Sequence, residues 1–182
     1  MRKIFNSLVL LISIFILNCT QGKINNPNTY LLKNSNDLSK VKHAVDSGAN
    51  VNAHDKYGET ALMKATLGKK FEIIKYLISK NANINLQSKD KQTALMHSAS
   101  LGYFKIAGYL IEKGANVNLK AKGGRTALMF ACTRGHENVV KLLIKSGADI
   151  KVKDIVNETA LTLAKEKGHK NIVKILEQEL KK

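Results

Sequence analysis

Four threonines, Thr60, Thr93, Thr126 and Thr159, stand 33 residues apart, each heading nearly the same phrase: TALM three times and TALT once. The other end of the phrase keeps the interval, at Gly48, Asn81, Gly114 and Gly147, and no insertion or deletion breaks the register. A fixed period of this length points away from a single globular core. It calls for supersecondary units stacked in a row, each covering an apolar face that its neighbour cannot bury alone.

Each unit carries the marks of two short helices. Thr60 is placed to accept an orphan backbone N–H as an N-cap, and Ala61, Leu62 and Ala65 open a helix behind it. A glycine closes that helix at Gly102, Gly135 and Gly168, with Gly68 one residue early. Apolar residues then recur at helical spacing, as in Ile73, Ile74, Leu77 and Ile78, or Val139, Val140, Leu143 and Ile144. The second helix ends at Gly48, Asn81, Gly114 or Gly147, where a left-handed C′ residue is expected and Gly or Asn adopts it at least cost. Polar hairpins such as ANVN lead to the next threonine.

The ends differ from the middle. Thirty-three residues before Thr60 lies Pro27, so the front unit lacks the phrase; it keeps a second helix with Val41, Ala44 and Val45 and has a degenerate first one. At the back, Leu180 occupies the glycine column beside a polar finish of Glu177, Gln178, Glu179, Lys181 and Lys182. Both ends read as capping units.

These residues resemble the ankyrin repeat family. TALM stands for its T-P-L-H, GHENVVKLLIKSGADI is close to its consensus, and its D-x-x-G is intact at Asp55 and Gly58. The resemblance implies an all-α solenoid of stacked helix-turn-helix units joined by hairpin loops. It covers about residues 28–182 in about five repeats: 28–54, 55–87, 88–120, 121–153 and 154–182. Ala61, Ala94, Ala127 and Ala160 replace the family's proline, and Met63, Met96 and Met129 its histidine. The histidine's inter-repeat hydrogen bonds are thereby lost, while alanine favours helix, so the fold is expected to persist.

The first residues, MRKIFNSLVLLISIFILNC, read as an address. Arg2 and Lys3 precede a run from Ile4 to Leu17 that is apolar except for Asn6, Ser7 and Ser13. The run matches a signal-peptide core and falls short of the ~20 residues that span a bilayer. Its end, Ile16-Leu17-Asn18-Cys19, resembles the lipobox of bacterial lipoproteins, although Asn18 stands where that family has Gly, Ala or Ser. The resemblance implies a signal peptide over 1–18, a lipidated Cys19 at the new N-terminus and a polar tether over 19–27. An uncleaved N-terminal anchor and a cleaved soluble periplasmic protein are the alternatives. All three place the rest of the chain outside the cytoplasm.

Chemistry is sparse. His136 and His169 follow a repeat glycine and read as packing or capping residues; His97 and Cys132 lie in successive units without a second Cys or His at metal spacing. Cys132 sits in a small-residue column as a buried or half-buried thiol with no base aimed at it. KGGRT lacks the spacing of a phosphate loop. No enzyme, cofactor or metal is expected. The net charge of +16, from 30 Lys and Arg against 14 Asp and Glu, raises affinity for any anionic surface. No aromatic interleaving supports nucleic-acid binding.

What remains is a surface. The family resemblance implies protein binding through hairpin tips and the exposed side of the first helices. Read from the threonine, those columns present Lys56, Lys89, Lys120, Lys122, Arg125 and Arg134, with Tyr57, Leu67 and Leu101 as apolar anchors. The expectation is a monomeric, envelope-anchored scaffold for an acidic protein partner. Adhesion to anionic headgroups or polymers, or protection of a periplasmic redox enzyme, are the competing functions.

Overall fold

The structure, a computed structural model, describes residues 24–182. The expected signal segment, Cys19 and most of the expected tether lie outside the described residues. Ten α-helices follow in five pairs: α1 Pro27–Lys33 and α2 Leu38–Asp46; α3 Ala61–Leu67 and α4 Phe71–Ser79; α5 Ala94–Ser100 and α6 Phe104–Glu112; α7 Ala127–Arg134 and α8 Glu137–Lys145; α9 Ala160–Glu166 and α10 Lys170–Glu179. Among the described residues there is no strand, only an isolated antiparallel bridge between His54 and Thr60. None of these helices is long and apolar enough to cross a membrane.

The repeated threonines are the caps that the period predicts. Thr60, Thr93 and Thr126 each accept, through Oγ1, the N–H of the methionine three residues on, at 3.3, 3.2 and 3.4 Å. Thr159 forms a reciprocal capping box with Thr162. Met63, Met96 and Met129 are buried, so the flexible thioethers at the family's histidine position pack into the core. Each first helix packs on its own second helix and on the next first helix, and one continuous core runs from Leu31 to Leu176.

The second helices end as expected. Gly48, Asn81, Gly114 and Gly147 all have positive φ, and Asn81 is the single non-glycine of the column at φ 62°. One expectation is corrected. The front unit's first helix is intact rather than degenerate: Asn26 caps it through Oδ1 to the Thr29 N–H, and Pro27 takes the first helical position, where a missing N–H costs nothing. Gly68 closes α3 one residue early, as its position suggests, with φ −76°, and the left-handed residue of that turn is Lys69 at φ 56°.

Candidate functional site

The hairpins form a ladder along one side of the array. Within each, a tight turn closes on itself, as in Asp55 N–H to the Glu59 carbonyl and Ala121 N–H to the Arg125 carbonyl. Between them, one backbone bond links each tip to the next: Lys89 N to Tyr57 O at 2.9 Å, Lys122 N to Asp90 O at 2.8 Å, and Ile155 N to Gly123 O at 3.0 Å. Backbone pairing leaves the side chains outside, where Lys56, Lys89 and Lys122 are exposed. None of the three makes an ion pair among the described residues. The Lys56 ammonium lies 4.9 Å from the centre of the Tyr57 ring, itself 59% exposed.

Behind the tips, carboxylates brace the turns. Asp55 Oδ1 accepts the N–H groups of Tyr57 and Glu59, and Asp154 Oδ1 accepts those of Val156 and Glu158. Lys64 bridges Asp55 and Glu59 at 2.8 and 3.3 Å. Burial pushes the Asp55 carboxyl up, but Lys64 and the two N–H donors outweigh it and hold it below the usual carboxylate range. The same balance holds for Asp154, whose side chain is 2% exposed: burial raises it, and the two N–H groups and Arg125 more than offset that rise.

Arg125, unlike the tip lysines, is engaged within the array while its side chain stays 35% exposed. Its Nε donates to Asp154 at 3.2 Å and one terminal nitrogen to Glu158 at 2.9 Å, tying the fourth unit to the fifth. The other expected site residues divide into two groups. Lys56, Tyr57, Lys89 and Lys122 share the tips, with Lys120 beside them, its carbonyl accepting the Gln87 amide at 2.9 Å. Leu67, Leu101 and Arg134 lie at the C-terminal ends of α3, α5 and α7, about 10 Å away along helices of seven or eight residues. All three are exposed.

Sequence reasoning missed other residues. Ile155 and Val156, 78% and 65% exposed, make the last tip apolar. The visible signal is Ile155 in the column otherwise held by Lys56, Lys89 and Lys122. An asparagine relay is the second omission. Asn52 Oδ1 accepts Asn83 N–H, Asn85 Oδ1 accepts Asn116 N–H, and Asn118 Oδ1 accepts Asp149 N–H, at 2.8, 2.8 and 2.9 Å. Asn85 and Asn118 also donate to the carbonyls of Gly114 and Gly147. The ANVN phrase thus staples each unit to the next.

The histidines behave as packing residues. His136 Nε2 donates to the Ser100 carbonyl at 3.0 Å and His169 Nε2 to that of Thr133 at 3.2 Å, each reaching the preceding unit. His97 is different: it lies between Lys64 and Phe130 in the first-helix column, and its buried Nε2 has no partner among the described residues. Burial lowers its pKa, opposed by Glu59. Burial also pushes the Cys132 thiol up to about 12, so it stays protonated and inert. Among the described residues, no three His, Cys, Asp or Glu side chains converge to hold a metal.

Comparison with known proteins agrees with this geometry. A family model described as ankyrin repeats (3 copies) matches residues 29–121 and 116–181. No curated protein matches the chain.

Proposed function

The chain belongs to the ankyrin repeat family, and we propose that it is a non-catalytic scaffold of the bacterial cell envelope that holds an acidic protein partner along its hairpin tips. Ankyrin repeats generally mediate protein–protein interaction. The observation that carries the finer reading is the run of lysines without an ion pair among the described residues, Lys56, Lys89 and Lys122, flanked by Tyr57 at one end and Ile155 and Val156 at the other. Apolar anchors at the ends of a basic strip give a partner both grip and register. Arg125 is already paired with Asp154 and Glu158, so the proposed strip is built on the three lysines.

The envelope location rests on the sequence of residues 1–19, with Cys19 as the lipidated residue. Labelled palmitate entering the wild type but not Cys19→Ser would support it, and equal labelling would remove it. For the partner, cross-linking in intact envelopes identifies the protein, and purified binding then tests the strip. Lys89→Glu with Lys122→Glu should weaken the complex by about tenfold or more. Lys145→Glu with Lys174→Glu, on exposed positions of α8 and α10, makes the same change in net charge and should leave affinity nearly unchanged. Equal losses would mean that total charge, screened by salt, does the binding.

A further inference from the structure

The period breaks at a second place, the turns between first and second helices in the second and third units. There Gly135-His136-Glu137 and Gly168-His169-Lys170 of the later units are replaced by Lys69-Lys70-Phe71 and Gly102-Tyr103-Phe104. Phe104 is 49% exposed, and Leu67 and Leu101 are exposed beside the same turns. The corresponding residues of the last two units, Thr133, Arg134, Glu166 and Lys167, are polar.

The substitution reshapes the edge. In the later units a histidine ring packs against the glycine of the preceding unit, so closely that a Cβ on Gly102 would stand 2.6 Å from the ring of His136. Lys69 carries a Cβ at the equivalent position and is left-handed at φ 56°, a conformation that costs a non-glycine residue about 1–2 kcal/mol. Its ammonium lies 5.3 Å from the centre of the Tyr103 ring. Phe71, set edge-on to Tyr109 at 5.4 Å, forms with Tyr103 and Phe104 the wall of an open depression of about 500 Å³. Lys69 and Lys105 stand on its rim.

Charge on this edge is one-sided. Lys69, Lys70 and Lys105 make no ion pair among the described residues, while the nearby acids Asp37 and Glu72 are held by Lys40 and Lys75. The depression continues, through Lys69 and Phe71, into a second hollow lined by Asn36 and Leu38 of the front unit. That is the end of the array into which the apolar run Ile4–Leu17 leads. The ten residues from Leu17 to Pro27 can reach at most about 35 Å.

We infer that this turn edge docks on an anionic bilayer surface, with Phe104, Leu67 and Leu101 entering the headgroup layer and Lys69, Lys70 and Lys105 meeting lipid phosphates. Exposed aromatic and leucine side chains ringed by free lysines match the composition of interfacial membrane contacts. Each lysine near such a surface adds attraction that decays within a Debye length. The surface is separate from the hairpin strip, at the other end of the first helices, so docking leaves the strip facing away from the membrane. The inference does not depend on the partner proposed above.

The chain has no tryptophan, which permits a direct test. Full-length protein carrying Phe104→Trp, and a second version carrying Ile155→Trp at the hairpin tip, are bound to vesicles of phosphatidylglycerol mixed equally with phosphatidylcholine. Brominated lipid should quench more than half of the Phe104→Trp emission and leave Ile155→Trp unaffected. Any anchoring by the N-terminal segment brings both versions to the vesicle equally, so the contrast reports the docked face. Adding Lys69→Glu, Lys70→Glu and Lys105→Glu to Phe104→Trp should abolish the contrast, as should vesicles of phosphatidylcholine alone. Equal quenching of the two tryptophans, or a Phe104→Trp emission that only a protein partner can shift, would overturn the membrane assignment. Quenching that survives both the charge reversals and neutral lipid would overturn the role of the lysines.

Discussion

Gly102→Ala should cost far more than its single methyl suggests, and most of that cost should reside in one neighbouring ring. Gly102 has φ +70°, so any Cβ bears a left-handed penalty of about 1 kcal/mol. The new Cβ would also stand 2.6 Å from Nδ1 and 2.7 Å from Cε1 of His136. That ring is pinned by its bond to the Ser100 carbonyl, so yielding to the methyl loses a hydrogen bond of about 1 kcal/mol together with inter-unit packing. The expected loss is about 2–3 kcal/mol. Gly114 is the matched control, because φ is +94° but no atom lies within 4 Å of a Cβ placed there. Gly114→Ala should therefore lose only about 1 kcal/mol. Urea melts of the two variants and of each combined with His136→Ala complete the comparison. Removing the ring removes the obstacle, so Gly102→Ala in the His136→Ala background should fall back to about 1 kcal/mol. An undiminished loss in that background would show that the histidine does not set the spacing between units.

Three further outcomes are expected. Asn85→Ala should destabilise by about 1–2 kcal/mol in urea melts, since it deletes the acceptor for Asn116 N–H and the donor to the Gly114 carbonyl. Asn85→Asp keeps the acceptor and should recover part of the loss. The lowered pKa of Asp154 means that its contribution is present above about pH 4 and disappears as pH falls through the folded value; Asp154→Asn should flatten the acid limb of a stability–pH curve, and an unchanged limb would exclude the clamp as its source. His97 is depressed by burial, so the unfolded chain takes the proton first and stability should decline as pH drops below about 6.5. His97→Phe, which extends the Phe130 position by one unit, removes the orphan nitrogen and should raise stability by about 1 kcal/mol at neutral pH, and by more under mild acid, in the same melts.

Much of the fold is legible in the sequence because a stacked array turns long-range contacts into columns. The threonine caps, the left-handed column at Gly48, Asn81, Gly114 and Gly147, and the buried second-helix residues all follow from period and helix chemistry. The front helix escapes the pattern because Pro27 replaces the expected threonine, and the capping duty moves one residue back to Asn26. The candidate site is less legible. Columns show which residues share a side, but not whether a charge on that side is free. Arg125 looks available to a partner when its column alone is considered. Yet in such an array, positions one period apart are neighbours: Arg125 and Glu158 differ by 33 and meet at 2.9 Å. Asking, at every charged position, which residue stands one unit later is enough to find the pairing.

The same comparison separates structural residues from functional ones. Where a column is kept, packing explains it, as with the glycines that leave room for His136 and His169. Where it changes and the change is internally compensated, the result is again structural, as when Arg125 meets Asp154 and Glu158. What packing does not explain are changes that add exposed apolar surface or unpaired charge without a partner in the array. Two places meet that condition: the tip at Ile155 and Val156, continuing a strip of free lysines, and the turns carrying Lys69, Lys70, Tyr103 and Phe104. They lie at opposite ends of the first helices, so one surface can hold a protein while the other rests on a membrane. A left-handed lysine retained at Lys69, where three sister units have glycine, sharpens this separation. Lys69→Gly should stabilise the array by about 1 kcal/mol in urea melts while reducing the tryptophan quenching at position 104, because the strain is relieved and the charge is lost together. Stabilisation with undiminished quenching would make Lys69 a packing accident, and unchanged stability would mean that its backbone bears no strain.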